Sequence, residues 1–268
     1  MPVVLLISGC GYSTKKEIYN PEYEPEISVF SVISTDNGDE FVIVEKTMRL
    51  NESDLNSSST IIDDAQVFVK DGTENVQFRF YKRPGGSAWR DDYLSLGIYL
   101  DLNNELRAET GRTYQLTVRV PDGRTVTGST TIPPVPEITR PAQGTALRKD
   151  NIKNTSIHWR DNPNSTGYVL FFYLETRYGG EKINILSDYF VYEPPATLSD
   201  VDDYLLVNDV VPLSDTATIK IAALDQNLYD YASKSGLASL IGTDLKLLRN
   251  GIGAFGSYSV DSVKVRLE

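Results

Sequence analysis

The feature that most restricts what this chain can fold into is a period of two, repeated around Asp-Gly turns. Ala65, Val67 and Val69 alternate with their neighbours, Asp71-Gly72 reverses the chain, and Val76, Phe78 and Phe80 alternate with Gln77 and Arg79. The pattern returns at Tyr114, Leu116, Val118 and Val120, interleaved with Gln115, Thr117 and Arg119, before Asp122-Gly123 turns into Arg124 to Thr127. Successive strand residues face opposite sides, so each such strand has an apolar and a polar face, and Asp-Gly supplies the positive-φ step of a tight hairpin. Apolar runs at 27–33 and 41–44 flank a further turn cluster, Asp36-Asn37-Gly38-Asp39. No long helix separates these strands, which predicts packed sheets in a sandwich and argues against a parallel α/β sheet.

Three prolines in four residues, Pro133-Pro134-Val135-Pro136, interrupt the strand series. Proline lacks the N–H that a central strand needs and favours extended polyproline geometry. The expectation is therefore an all-β protein of two β-sandwich domains of typical size, ~100 residues each. Residues 26–132 form an immunoglobulin-like sandwich, 133–136 the Pro-rich linker, and 137–268 a fibronectin type III-like sandwich. The second half opens with Ile157 and Trp159, a turn at 161–164, and the long run from Tyr168 to Tyr178; this resembles the core Trp and following strand of fibronectin type III modules. It carries one short helical insert. Leu228, Tyr231 and Ala232 share a helix face at i, i+3 and i+4, with Gly236 placed to stop it.

The N-terminus points to a compartment. Residues 3–9 (VVLLISG) are apolar but too short to span a bilayer, which takes about 20 residues. They fit the end of a signal peptide. Ile7-Ser8-Gly9-Cys10 resembles the lipobox of bacterial lipoproteins: small residues admit the peptidase, and the Cys10 thiol receives the lipid. Residues 1–9 are then a signal-peptide remnant, its basic start missing after Met1-Pro2 and expected upstream or truncated, and 10–25 a lipidated tether. Cys10 is the one cysteine, so the lipidated chain has no thiol left for a disulfide, thiolate catalysis or a Cys-ligated metal. A net charge of −11 without a basic stripe disfavours nucleic acid as a partner.

The remaining motifs fit plain structural roles. Gly251-Ile252-Gly253-Ala254-Phe255-Gly256 spells G-x-G-x-x-G, yet it leads into a strand rather than opening a helix, which fits tight backbone packing rather than a dinucleotide site. His158, the sole histidine, sits in a strand pattern facing away from Trp159, so a catalytic triad has no centre. Carboxylates at Asp63-Asp64, Asp91-Asp92 and Asp200–Asp203 read as solvated turns; Asp200–Asp203 is the first place to look for a weak ion site, though the spaced calcium-loop order is missing. No catalytic, cofactor or metal residues are expected. A possible ligand surface is Tyr168, Phe171, Tyr173 and Tyr178, whose rings could form a carbohydrate platform or, alternatively, a core stripe.

Taken in order, several segments resemble one family: the Cys10 lipobox, 65–69 (AQVFV) before a Gly turn, 111–118 (GRTYQLTV), the Pro133-Pro134 break, 159–163 (WRDNP), Tyr229-Asp230-Tyr231 and 250–256 (NGIGAFG). The family is that of Bacteroidota envelope lipoproteins called domain of unknown function 4249. The resemblance covers nearly the whole length and implies an outer-membrane lipoprotein, often encoded beside TonB-dependent receptors, with no established activity. The acidic run that often follows the Cys of surface-exported relatives is absent at 11–17 (GYSTKKE), which leaves the membrane face open. The expected role is an accessory or ligand-capturing subunit of a TonB-dependent uptake complex, with a glycan or peptide ligand and no cofactor. The alternatives are an adhesin or structural envelope protein and, third, a carboxylate-based hydrolase.

Overall fold

The computed structural model describes residues 24–36, 40–48, 60–72, 74–82, 97–160, 162, 164–178, 181–192, 197–198, 215–235 and 247–268. Cys10 and its lipobox, Asp91-Asp92, Asp200–Asp203 and Gly236 lie outside them. Among the described residues the fold is all-β with one α-helix, as the period of two predicts, and its sheets pack as sandwiches.

The first half contributes β1 (Ile27–Ser34), β2 (Phe41–Lys46), β3 (Gln66–Asp71), β4 (Glu74–Tyr81), β5 (Ile98–Leu100), β6 (Thr113–Arg119) and β7 (Thr125–Thr131). The two Asp-Gly turns form as expected. β3 and β4 pair with Val69 opposite Val76, and β6 and β7 with Val118 opposite Val126. Gly72 and Gly123 adopt φ of 55° and 93°, values that a side chain would resist. The pairing order β1-β2-β5-β4-β3-β6-β7 rolls the sheet over a core that includes Val29, Val42, Val67, Phe78, Leu116 and Val118. Buried tyrosines tie loops to this core. The Tyr99 hydroxyl donates to Ile62 O at 2.7 Å and accepts from Ala65 N at 2.9 Å, and burial pushes it up to about 12.

Among the described residues the second half is a four-against-three sandwich. One layer is β12 (Glu181–Tyr192), β11 (Gly167–Tyr178), β14 (Thr216–Leu224) and β15 (Ile252–Leu267); the other is β13 (Thr197–Leu198), β10 (Ile157–Arg160) and β8 (Glu137–Arg140). A short β9 (Ala146–Leu147) adds to the end of β15. Between the layers Trp159 meets Tyr168 edge-on at 5.5 Å, surrounded by Leu170, Phe172, Ile219 and Val265. This is the core Trp and following strand expected of a fibronectin-like module.

The expected division at 133–136 needs one amendment. β15 is 16 residues long and serves both halves: residues 258–266 pair with β14, whereas 252–258 pair in parallel with β1. The sheet is therefore continuous across the molecule. Phe255 and Leu248, from the last segment of the chain, belong to the core of the first half. The main chain of Arg249 also bonds Thr127 in both directions, at 2.9 and 3.1 Å, so β7 meets the lead into β15 and the roll closes. Local periodicity carries no information on such a long-range parallel pairing.

The glycine run at 251–256 exists for this crossing. A Cβ on Gly253, at φ 104°, would stand 2.1 Å from the Val29 carbonyl oxygen; one on Gly251 would meet Val126 and Ile27, and one on Gly256 would meet Leu228. No helix opens here, because Ile252 begins β15.

Candidate functional site

The aromatic set expected to form one surface is divided by the pleat. Tyr168 is a correction: it is wholly buried, pointing with Leu170, Phe172 and Leu174 into the core of the second sandwich. Its hydroxyl accepts from Asn162 N at 2.7 Å, which fixes the preceding turn. Positions 168 and 171 differ by an odd number along one strand, so they must face opposite sides. Phe171 and Tyr173 lie on the other face, half-buried and stacked at 6.0 Å between centroids. Tyr178 ends β11, and its side chain is outside the described residues.

Phe171 and Tyr173 form a ledge on the outer face of the continuous sheet. Lys220, opposite Phe171 on β14, holds its ammonium 5.5 Å from the Tyr173 ring centroid and is ion-paired with Asp36 beyond β1. An ammonium at that distance is drawn to the ring's negative face. The ledge thus offers two ring surfaces beside a fixed charge pair, suited to stacking and hydrogen bonding. His158 is partly exposed on β10, opposite in facing to buried Trp159. Among the described residues no group of three or more His, Cys, Asp or Glu could hold a metal.

Next to the ledge the same face is covered by the helix α1 (Gln226–Ser235). Leu228, Tyr231 and Ala232 are its buried stripe, as the i, i+3, i+4 spacing predicts, and Tyr231 meets Phe30 at 4.7 Å. The start of α1 holds residues that sequence reasoning missed. Asp225, 8% exposed, caps the helix by accepting from Leu228 N at 2.9 Å. The same carboxylate accepts from Ser257 N on β15 at 3.0 Å and from the Thr130 hydroxyl on β7 at 2.6 Å. Asn227 completes a clasp, its amide donating to Ser129 O on β7 and Phe255 O on β15 at 2.8 and 2.9 Å. These side chains bridge β7 and β15 where the strands no longer pair directly. Burial raises the Asp225 carboxyl above its ordinary range, against the pull of its hydrogen-bond donors. The signal was available: an Asp immediately before an apolar i, i+3, i+4 pattern is a helix-start signature. A cleft of about 490 Å³ opens beside the clasp, lined in part by Thr130, Pro134, Asn164, Thr166 and Asp225.

No curated protein matches the chain. Among solved structures, the fibronectin(III)-like modules of CbhA from Clostridium thermocellum align over 91% of this chain and 94% of theirs, at 11% identity and a TM-score of 0.24. A protocadherin gammaB7 EC3-6 structure aligns over 92% of this chain and 50% of its own, at 14% identity and a TM-score of 0.18. Likeness this distant carries no functional argument. The sequence profile is decisive where the structures are not: with residues 15–264 matched, the chain belongs to the family described as a domain of unknown function, DUF4249.

Proposed function

We propose that this protein is a non-catalytic, lipid-anchored binding subunit of the bacterial outer membrane that captures a ligand for a TonB-dependent transporter. The ledge of Phe171 and Tyr173 beside the Lys220–Asp36 pair is the observation that supports capture rather than chemistry. It presents rings and a fixed charge pair on a rigid sheet, where a glycan or peptide can stack with little loss of side-chain freedom. The lipobox at Cys10 supports the anchor, since each buried CH₂ adds about 0.8 kcal/mol and several acyl chains outweigh a small protein interface. Confinement to one membrane raises the effective concentration of tethered partners, so a modest interface suffices. The transporter itself comes from the family resemblance.

The test is extraction in mild detergent followed by affinity purification and mass spectrometry, alongside fractionation of Cys10→Ser. The expected result is co-purification of a β-barrel receptor and release of Cys10→Ser into the soluble fraction. Recovery with fimbrial or peptidoglycan components would favour an adhesin or structural protein. Membrane retention of Cys10→Ser would replace the lipid with a protein anchor.

A further inference from the structure

The outward face of β4, β3, β6 and β7 departs from the rest of this acidic chain. The chain has 37 Asp and Glu against 26 Lys and Arg, yet the alternation that buries Val67, Val69, Val76, Phe78, Leu116 and Val118 leaves no carboxylate at an outward position of these four strands. Lys70, Arg79 and Arg119 stand there instead, all exposed. Arg249 joins them at the rim, exposed, with its main chain locked to Thr127. Four arginines elsewhere are neutralised locally: Arg112 by Asp71 and Glu109, Arg124 by Asp122, Arg148 by Asp150 and Arg160 by Glu137. Among the described residues, Lys70, Arg79, Arg119 and Arg249 have no ion-pair partner.

Strand register sets the rest of the face in rows. Gln77, Phe68, Thr117, Thr127 and Arg249 lie opposite one another in sequence across the sheet. At about 4.8 Å per strand this row spans roughly 19 Å. A parallel row places Asn75, Lys70, Gln115 and Ser129 beside it. Phe68 is half-buried at the centre, an apolar ring amid amides and hydroxyls. At the rim a cleft of about 540 Å³ is bounded by Thr117, Thr127, Ser129, Asn227 and Arg249.

We propose that this face, with Arg249 and its cleft at one end, binds an acidic oligosaccharide. The unpaired cations take carboxylate or sulfate groups, for which the planar guanidinium fork is suited. The amides and hydroxyls, held on strands, bond sugar hydroxyls, and Phe68 lies under an apolar ring face. The cleft at the rim, about 540 Å³, has room for a sugar ring. The net charge of −11 opposes approach to anionic lipid, while a bound oligosaccharide sees mainly charges within a Debye length, about 8 Å. This inference rests on the reading of the protein as a binding module, but not on a transporter. A pull-down without a receptor would leave the glycan measurement intact, and the reverse.

The experiment is calorimetric titration of the purified full chain carrying Cys10→Ser with oligogalacturonate, a heparin oligosaccharide and a neutral maltooligosaccharide. At least one acidic probe should bind, more weakly as salt rises, and the neutral one should not. Arg119→Gln with Arg249→Gln should weaken Kd at least tenfold at unchanged melting temperature, while Arg148→Gln, at a residue paired with Asp150, leaves it alone. If the double variant melts early, Lys70→Gln with Arg79→Gln replaces it under the same expectation. The proposal is overturned by absence of binding to both acidic probes, by equal affinity of wild type and variants, or by binding to phosphatidylglycerol vesicles in place of the glycans.

Discussion

The two halves of the molecule solve the same packing problem differently. The second sandwich fills its core from its own strands, with Trp159, Tyr168, Phe172 and Ile219 all drawn from residues 137–268. The first does not. Its core needs Leu248 and Phe255, its roll closes through Arg249, and its first strand pairs with 252–258. A sandwich edge left open exposes unpaired N–H and C=O groups and apolar surface, so the first half depends on a segment more than 110 residues beyond its last strand. Here the proline-rich segment marks a change of sheet, while one long strand, β15, runs through both halves.

The largest expected effect follows from cutting there. Residues 24–136 expressed alone should lack a cooperative thermal transition, whereas 137–268 should keep Trp159 shielded from quencher because its own core remains. A sharp, reversible melt of the 24–136 fragment would break the comparison. Single substitutions sharpen it. Phe255→Ala removes a fully buried ring shared between the halves and should cost about 3–5 kcal/mol in chemical unfolding. Phe171→Ala, on the half-buried ledge, should cost about 1 kcal/mol. Comparable losses at the two sites would mean that the junction is no more critical than the ledge.

The smallest effect concerns the clasp. Burial raises the folded-state carboxyl of Asp225, so the native chain binds more protons than the unfolded one between the ordinary value, about 3.9, and the raised one. Stability from this group therefore falls as pH rises through that window. Asp225→Asn cannot titrate, so the margin of wild type over the variant should be widest at the acid end and narrow as pH rises. Urea unfolding of both proteins across that range measures it; a constant margin would show that the hydrogen bonds from Ser257 N, Leu228 N and Thr130 offset the desolvation.

What the sequence determined by itself is local. The alternation at 65–69 and 114–120, the Asp-Gly turns, the helix face at Leu228, Tyr231 and Ala232, and the core pairing of Trp159 with the strand that follows were legible because side-chain period and turn chemistry act over a few residues. The same rule separates Tyr168 from Phe171 and Tyr173, since parity along a strand fixes the face. Tertiary structure alone decided which strand meets β1, why three glycines stand at 251, 253 and 256, and how Asp225 and Asn227 reach both β7 and β15. It also gathered Lys70, Arg79, Arg119 and Arg249 onto one face. Those facts depend on contacts between segments 100 residues or more apart, or on the register of several strands together. Such pairings are selected by the fit of whole sheets, for which no window of sequence holds the partners.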